Sequence, residues 1–167
     1  MGRGLQCAQP SHSMKTVKKS VLIWYSATQM FDLVTHVAAY PQFLPWCDHA
    51  KVVQATPDGA LAEVGISFSG IKQCFSTQNT HSISPEGVRS VGMQLRDGPF
   101  SQLDGAWNFR PLGAANAADA PSACKVELEL RYGFDNAALG ALVGPVFDKI
   151  ASSLVDAFVK RAEVVYG

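Results

Sequence analysis

No two of the four cysteines, Cys7, Cys47, Cys74 and Cys124, stand close enough to form a C-x-x-C pair. That removes the zinc-knuckle and dithiol redox signatures. None of His12, His36, His49 and His81 falls in H-E-x-x-H, or in H-x-E with a downstream cysteine pair, so no metal site is expected. G-x-S-x-G, the P-loop and G-x-G-x-x-G are also missing. Residues 1–20 hold no apolar core of the usual length, about 7–15 residues, so no secretory leader is expected. With that, free thiols in a reducing cytoplasm are expected. No window offers ~18 uninterrupted apolar residues for a bilayer span. The nearest, Ala137 to Phe147, is broken by Gly140, Gly144 and Pro145. The start MGRGLQ lacks Ser or Thr at position 6 and is a poor myristoylation site. Charge is scarce as well. Asp, Glu, Lys and Arg make up 17% of the chain and cancel to zero net charge. A protein held on nucleic acid by a dominant basic surface is disfavoured, and no DNA partner is expected.

What is present is apolar patterning. From Asn136 to Tyr166, Val143, Phe147, Ile150, Leu154, Phe158 and Ala162 recur at three- and four-residue spacing, the period of a helix with one buried face. Asp148, Lys149, Ser152, Ser153, Asp156, Lys160 and Glu163 fall on the other side. Pro145, with Gly144 before it, predicts a kink, or a short helix over 136–143 leading into a long one over 145–165. Residues 47–132 read as short strands, near 47–56, 60–69, 72–84, 87–97, 100–111 and 123–133. They are separated by turn sequences such as Pro57-Asp58-Gly59, Ser69-Gly70 and Asp97-Gly98-Pro99. Val126, Leu128, Leu130 and Tyr132 alternate with Lys125, Glu127, Glu129 and Arg131, a strand with one wet face. Ala62, Val64, Ile66 and Phe68 alternate likewise.

Before these strands, a first strand runs about Thr16 to Tyr25. Ser26 and Gln29 then form a capping box, and Tyr25 with Met30 a hydrophobic staple. Met30, Phe31, Val34 and Val37 give that helix its inner face. Tyr40-Pro41 is expected to break it and open a second short helix ending by Leu44-Pro45. Residues 1–13 read as a disordered tail, with Met14 a credible alternative start, and 112–122 as a surface loop. The chain is thus one α+β domain over 14–167. It has seven antiparallel strands in all, two short helices, and a long C-terminal helix lying across the concave face of the curved sheet. Such a grip leaves an apolar space between helix and sheet.

Reactive constellations are weak. Asp97 and Asp104 flank DGPFSQLD, but each precedes a glycine, so turn geometry explains them. His81 sits in a polar strand and reads as a surface residue. No catalytic residue is named and no enzyme is expected. A binding module lined by aromatics fits better. Its ligand-contacting candidates are Phe43, Leu44, Trp46, Phe68, Phe75, Met93, Phe100, Trp107, Phe147, Ile150, Ala151 and Leu154. Lys15, Lys18 and Lys19 are a candidate patch for an anionic partner, against the plainer reading of lysines guarding an edge strand.

Three stretches carry a family resemblance: YSATQMFDLV…YPQFLPWCDHAKVV (25–53), LRDGPFSQLDGAWNFRPL (95–112) and GPVFDKIASSLVDAFVKRAEVVYG (144–167). They resemble the coenzyme Q-binding START-domain family, within the polyketide cyclase/dehydrase-like superfamily. The resemblance spans roughly Met14 to Gly167. It implies a helix-grip fold, as the periodicity does. It further implies an apolar cavity that holds ubiquinone or another prenyl lipid, serves cellular respiration, and needs no other cofactor. The family includes ribosome-association toxins, so the resemblance also implies a second role, binding the large ribosomal subunit and blocking subunit association. A cytoplasmic location is expected, with peripheral contact at the inner membrane. Distant cyclases and dehydratases make an enzyme the third reading.

Overall fold

The computed structural model describes residues 14–112 and 123–167. The tail read over 1–13, and all of the 112–122 loop except Leu112, lie outside the described residues.

The chain runs β1 (Lys15–Ile23), α1 (Ala27–Thr35), a 3₁₀ helix (Val37–Gln42), β2 (Cys47–Thr56), β3 (Gly59–Phe68), β4 (Ile71–Ile83), β5 (Arg89–Asp97), β6 (Phe100–Pro111), β7 (Cys124–Phe134) and α2 (Ala137–Tyr166). All seven strands form one antiparallel sheet in the order β1-β7-β6-β5-β4-β3-β2. Consecutive strands from β2 to β7 are neighbours, and β1 closes the far edge against β7. Local chemistry sets the turns. Ser69 and Gly70 both have positive φ, 52° and 79°. That is the two-residue hairpin whose twist matches the flanking strands.

Alternation sorts β7 as its sequence demands. Val126, Leu128, Leu130 and Tyr132 are buried toward α2. On the outer face Arg131 reaches Asp104 at 2.9 Å, and Arg110 and Lys125 reach Glu127 at 3.5 and 3.7 Å.

α1 begins as expected. The Ser26 side chain accepts from the Gln29 N–H at 3.0 Å, and the Gln29 side chain accepts from the Ser26 N–H at 2.9 Å. It ends earlier than Tyr40-Pro41 implied. His36, at φ −84° and ψ 70°, leaves helical geometry and caps the helix after Thr35. Pro41 lies inside the following 3₁₀ helix rather than opening one. Its missing N–H is bridged by bonds on either side, Ala39 N–H to His36 O and Phe43 N–H to Tyr40 O.

α2 corrects the expectation of a short helix over 136–143 leading into a long one. It is one continuous helix of 30 residues through Pro145, capped by Asn136, whose Oδ1 accepts from Leu139 N–H at 2.8 Å. Pro145 cannot bond the Ala141 carbonyl. Both residues are exposed, so water can satisfy that carbonyl and the helix continues. By length and composition α2 is able to cross a bilayer, but its stripe is spent on the sheet. Val143, Phe147, Ile150, Ala151, Val155, Phe158 and Ala162 are all buried.

Two aromatic knots hold α2 down. Phe147 packs edge-on against Tyr132 (4.6 Å between ring centroids) and Phe100 (5.0 Å). Phe158 meets Phe43 (5.1 Å), Trp107 (5.3 Å) and Tyr40 (5.5 Å). Edge-to-face aromatic pairs add to plain area burial. Phe158→Ala should therefore lower the unfolding free energy by about 3–5 kcal/mol. Leu142→Ala, at a side chain 61% exposed, should stay within about 0.5 kcal/mol. Urea titration of the two variants beside the parent checks both values.

Candidate ligand cavity

Between the concave sheet and α2 lies a space of about 90 Å³. Its walls come from four directions. The 3₁₀ helix and the segment after it supply Val37, Tyr40, Leu44 and Trp46. β3 and β4 supply Ala62, Val64, Phe75, Thr77 and Asn79. β5, β6 and β7 supply Met93, Leu103, Trp107 and Leu130. α2 supplies Phe147, Ile150, Ala151, Leu154 and Phe158. Each strand contributes through its inward-pointing alternate residues.

Of the residues expected to contact a ligand, the structure brings together Leu44, Trp46, Phe75, Met93, Trp107, Phe147, Ile150, Ala151 and Leu154 in this wall. It does not bring in three others. Phe43 packs on Phe158 and under the Arg161 guanidinium, 5.0 Å from its ring centroid. Phe100 is buried beyond Phe147, stacked on Phe134. Phe68, at the last position of β3 beside the tight turn, is 37% exposed, because the sheet ends before the helix can cover it. Sequence reasoning missed Val37, Tyr40, Ala62, Val64, Thr77, Asn79, Leu103, Leu130 and Phe158. For the six on strands, the signal that could have found them is the inward parity of each strand; for Val37, Tyr40 and Phe158 it is the inner face of the helical segments. Aromatic content alone does not carry it.

The polar groups at the wall are few. Thr77 is buried, and its hydroxyl lies 2.7 Å from Asn79 Oδ1. The Tyr40 hydroxyl donates to the Val34 carbonyl, and burial raises its pKa above the ordinary tyrosine value. No His, Asp, Glu, Lys or Cys lines the space among the described residues. Just outside it, burial and then the Asp48 charge push the Cys47 thiol up to about 11. His81 lies elsewhere, half-buried with its ring 5.4 Å from Phe31, and burial lowers its pKa. Asp104 is on the outer face, where Gln102 and Arg131 hold its carboxyl below the usual range.

The lysines of β1 sit on an edge strand beside carboxylates. Lys15 pairs with Asp148 at 2.5 Å, and Asp148 also accepts from the Tyr132 hydroxyl. Lys18 lies 3.9 Å from Glu129. Lys19 is exposed and has no ion pair among the described residues.

The family profile described as "Polyketide cyclase / dehydrase and lipid transport" matches residues 23–159. The chain belongs to that family. Within it, the chain is 42% identical over 154 residues to the ribosome association toxin RatA of Vibrio cholerae, covering 92% of this chain and 99% of the relative. It is 26% identical to the mitochondrial coenzyme Q-binding protein COQ10 homolog B of Xenopus laevis, covering 98% of this chain and 65% of that one. A START superfamily protein from Mycobacterium smegmatis superposes with a TM-score of 0.69 at 20% identity, over 90% of this chain and 98% of the other, and shows the fold. The family architecture is the helix-grip read from the periodicity: the curved seven-stranded sheet, two short helical segments and a long gripped helix.

The buried thiols give a direct test of this packing. Cys47 and Cys124 are buried, and burial pushes both pKa values up to about 11. A raised pKa leaves the unreactive thiol dominant near neutral pH. The Cys74 pKa is raised as well, but its side chain is exposed, so a water-soluble alkylating reagent should modify Cys74 in the folded protein and reach Cys47 and Cys124 only in denaturant. Peptide mass mapping reads the order.

Proposed function

We propose that the protein binds an isoprenoid quinone or similar prenyl lipid between sheet and α2 without transforming it, and in that role supports respiratory electron transport at the cytoplasmic side of the inner membrane. The observation that carries this reading is the composition of the cavity wall: apolar and aromatic throughout, with the Thr77–Asn79 pair as its polar mark. Small-molecule sites combine such walls with a few placed polar groups. An isoprene tail gains about 25 cal/mol per Å² of apolar surface buried, so affinity needs no reactive group. The likeness to a coenzyme Q-binding protein along nearly the whole chain supports the same reading. At about 90 Å³ the space is smaller than the ~300–1,000 Å³ of ordinary ligand pockets. Binding therefore requires outward movement of wall residues, for which half-buried Leu154 and Trp46 are best placed.

Ala151 is fully buried on the inner face of α2. Ala151→Trp should fill the space at a cost of about 1–3 kcal/mol in stability. The folded variant, purified from the native host, should carry little or no quinone by native mass spectrometry and lipid extraction. Undiminished quinone in that variant would overturn the reading.

A second reading rests on a separate observation, the 42% identity along 99% of a ribosome association toxin. On this reading the chain contacts the large ribosomal subunit and blocks subunit association, with the β1 lysines touching phosphates. Each neutralised phosphate releases counterions, so such contacts weaken steeply with salt. Co-sedimentation with large subunits should then fall as salt rises, and fall further in Lys15→Glu/Lys18→Glu/Lys19→Glu. Sedimentation indifferent to both changes would remove this patch as the contact.

A further inference from the structure

At the β2 edge, on the outer face of the sheet, three strands bring together side chains that no sequence motif links. β2 carries a bulge there. Cys47 stands opposite Ile66 and His49 opposite Gly65, leaving Asp48 as the extra residue. A bulge re-aims side chains locally. Cys47 stays buried, while Asp48 and His49 both turn outward over Gly65. Gly65 makes the room for them: a Cβ at that position would lie 2.3 Å from Asp48 Oδ1 and 2.3 Å from His49 Cε1. Glu63 shares the outer face of β3, and Cys74 of β4 stands opposite Gly65. His49 Nε2 is 3.0 Å from Glu63 Oε2 and 3.8 Å from Cys74 Sγ, and the three donor atoms all lie within 4.8 Å of one another.

We propose that His49, Glu63 and Cys74 form a binding site for a borderline-soft divalent cation of the zinc class, with Asp48 orienting His49. One nitrogen, one carboxylate oxygen and one sulfur form a donor set that zinc accepts, leaving a fourth position for water or a partner's ligand. Tetrahedral bonds of about 2.0–2.3 Å place donor atoms roughly 3.2–3.8 Å apart. The His49–Cys74 spacing already fits, and Glu63 closes the set by a side-chain adjustment. Asp48 Oδ1 lies 2.9 Å from the second ring nitrogen, His49 Nδ1. That is the outer carboxylate which fixes the tautomer and orientation of a metal-bound histidine. Lys72 Nζ, 3.4 Å from Asp48 Oδ2, holds that carboxylate in turn. The sulfur disfavours magnesium and calcium, which take all-oxygen sets. Sulfur binds the cation as thiolate, so cation binding releases the Cys74 thiol proton to solvent. A bound ion would clip edge strand β2 to β3 and β4.

The test is cobalt titration of the chelator-treated full chain under reducing conditions. The parent should show a thiolate-to-cobalt charge-transfer band that saturates at one ion per chain and is displaced by zinc. Cys74→Ser should abolish the band, whereas Cys7→Ser should keep it. Asp48→Ala should keep it with affinity lowered about 10–100-fold. Far-UV circular dichroism confirms that each variant is folded, and zinc should raise the melting temperature of the parent but not of Cys74→Ser. No band in the parent, a band that survives Cys74→Ser, or one that is lost in Cys7→Ser, would overturn the site.

Discussion

Everything in this molecule depends on two phenylalanines of one helix reaching the floor of a curved sheet. Phe147 and Phe158 are eleven residues apart, about three helical turns, so they point the same way. Each enters its own ring of aromatics, Tyr132 and Phe100 for one, Trp107, Tyr40 and Phe43 for the other. Between these anchors the helix presents Ile150, Ala151 and Leu154, and the cavity lies beneath them. The anchors hold helix and sheet together at two places, and the space between them is what packing leaves over.

Much of this was legible because the signals are local. The alternation of β7, the capping box at Ser26 and Gln29, and the stripe of α2 each follow from side chains close in sequence. The misreadings share a cause. Proline removes one backbone donor, so a break at Tyr40-Pro41 and a split helix at Pro145 are natural expectations, yet a 3₁₀ helix and a solvent-facing carbonyl each absorb that loss. Phe68 has the right parity for the core but lies where the sheet ends, and Phe100 sits within the Phe147 knot, behind that ring as seen from the cavity. Parity gives the face, whereas distance along the strand decides what covers it.

The outer cluster was illegible for a different reason. His49, Glu63 and Cys74 meet only through the β2–β3–β4 register, one bulge and the absence of a side chain at Gly65. No spacing rule anticipates a bulge. The sheet thus separates two chemistries. Among the described residues its inner face brings no acidic, basic or thiol side chain to the cavity wall, and its outer face gathers the ion pairs of Asp104, Glu127 and Arg131.

The place of β1 has a consequence for how the molecule is made. The first strand pairs with the last: Lys15 lies opposite Tyr132, and Ile23 opposite Cys124. A ribosome releases the chain from its N-terminus, so β1 emerges without its neighbour, while β2 to β6 can zip as successive hairpins. Until β7 and α2 follow, β1 has no partner and the concave face no cover. Sheet closure and helix docking are then late and non-local, the kind of contact that slows folding and prolongs exposure of apolar surface. The lysines on β1 would keep that waiting strand in water and discourage pairing with another chain.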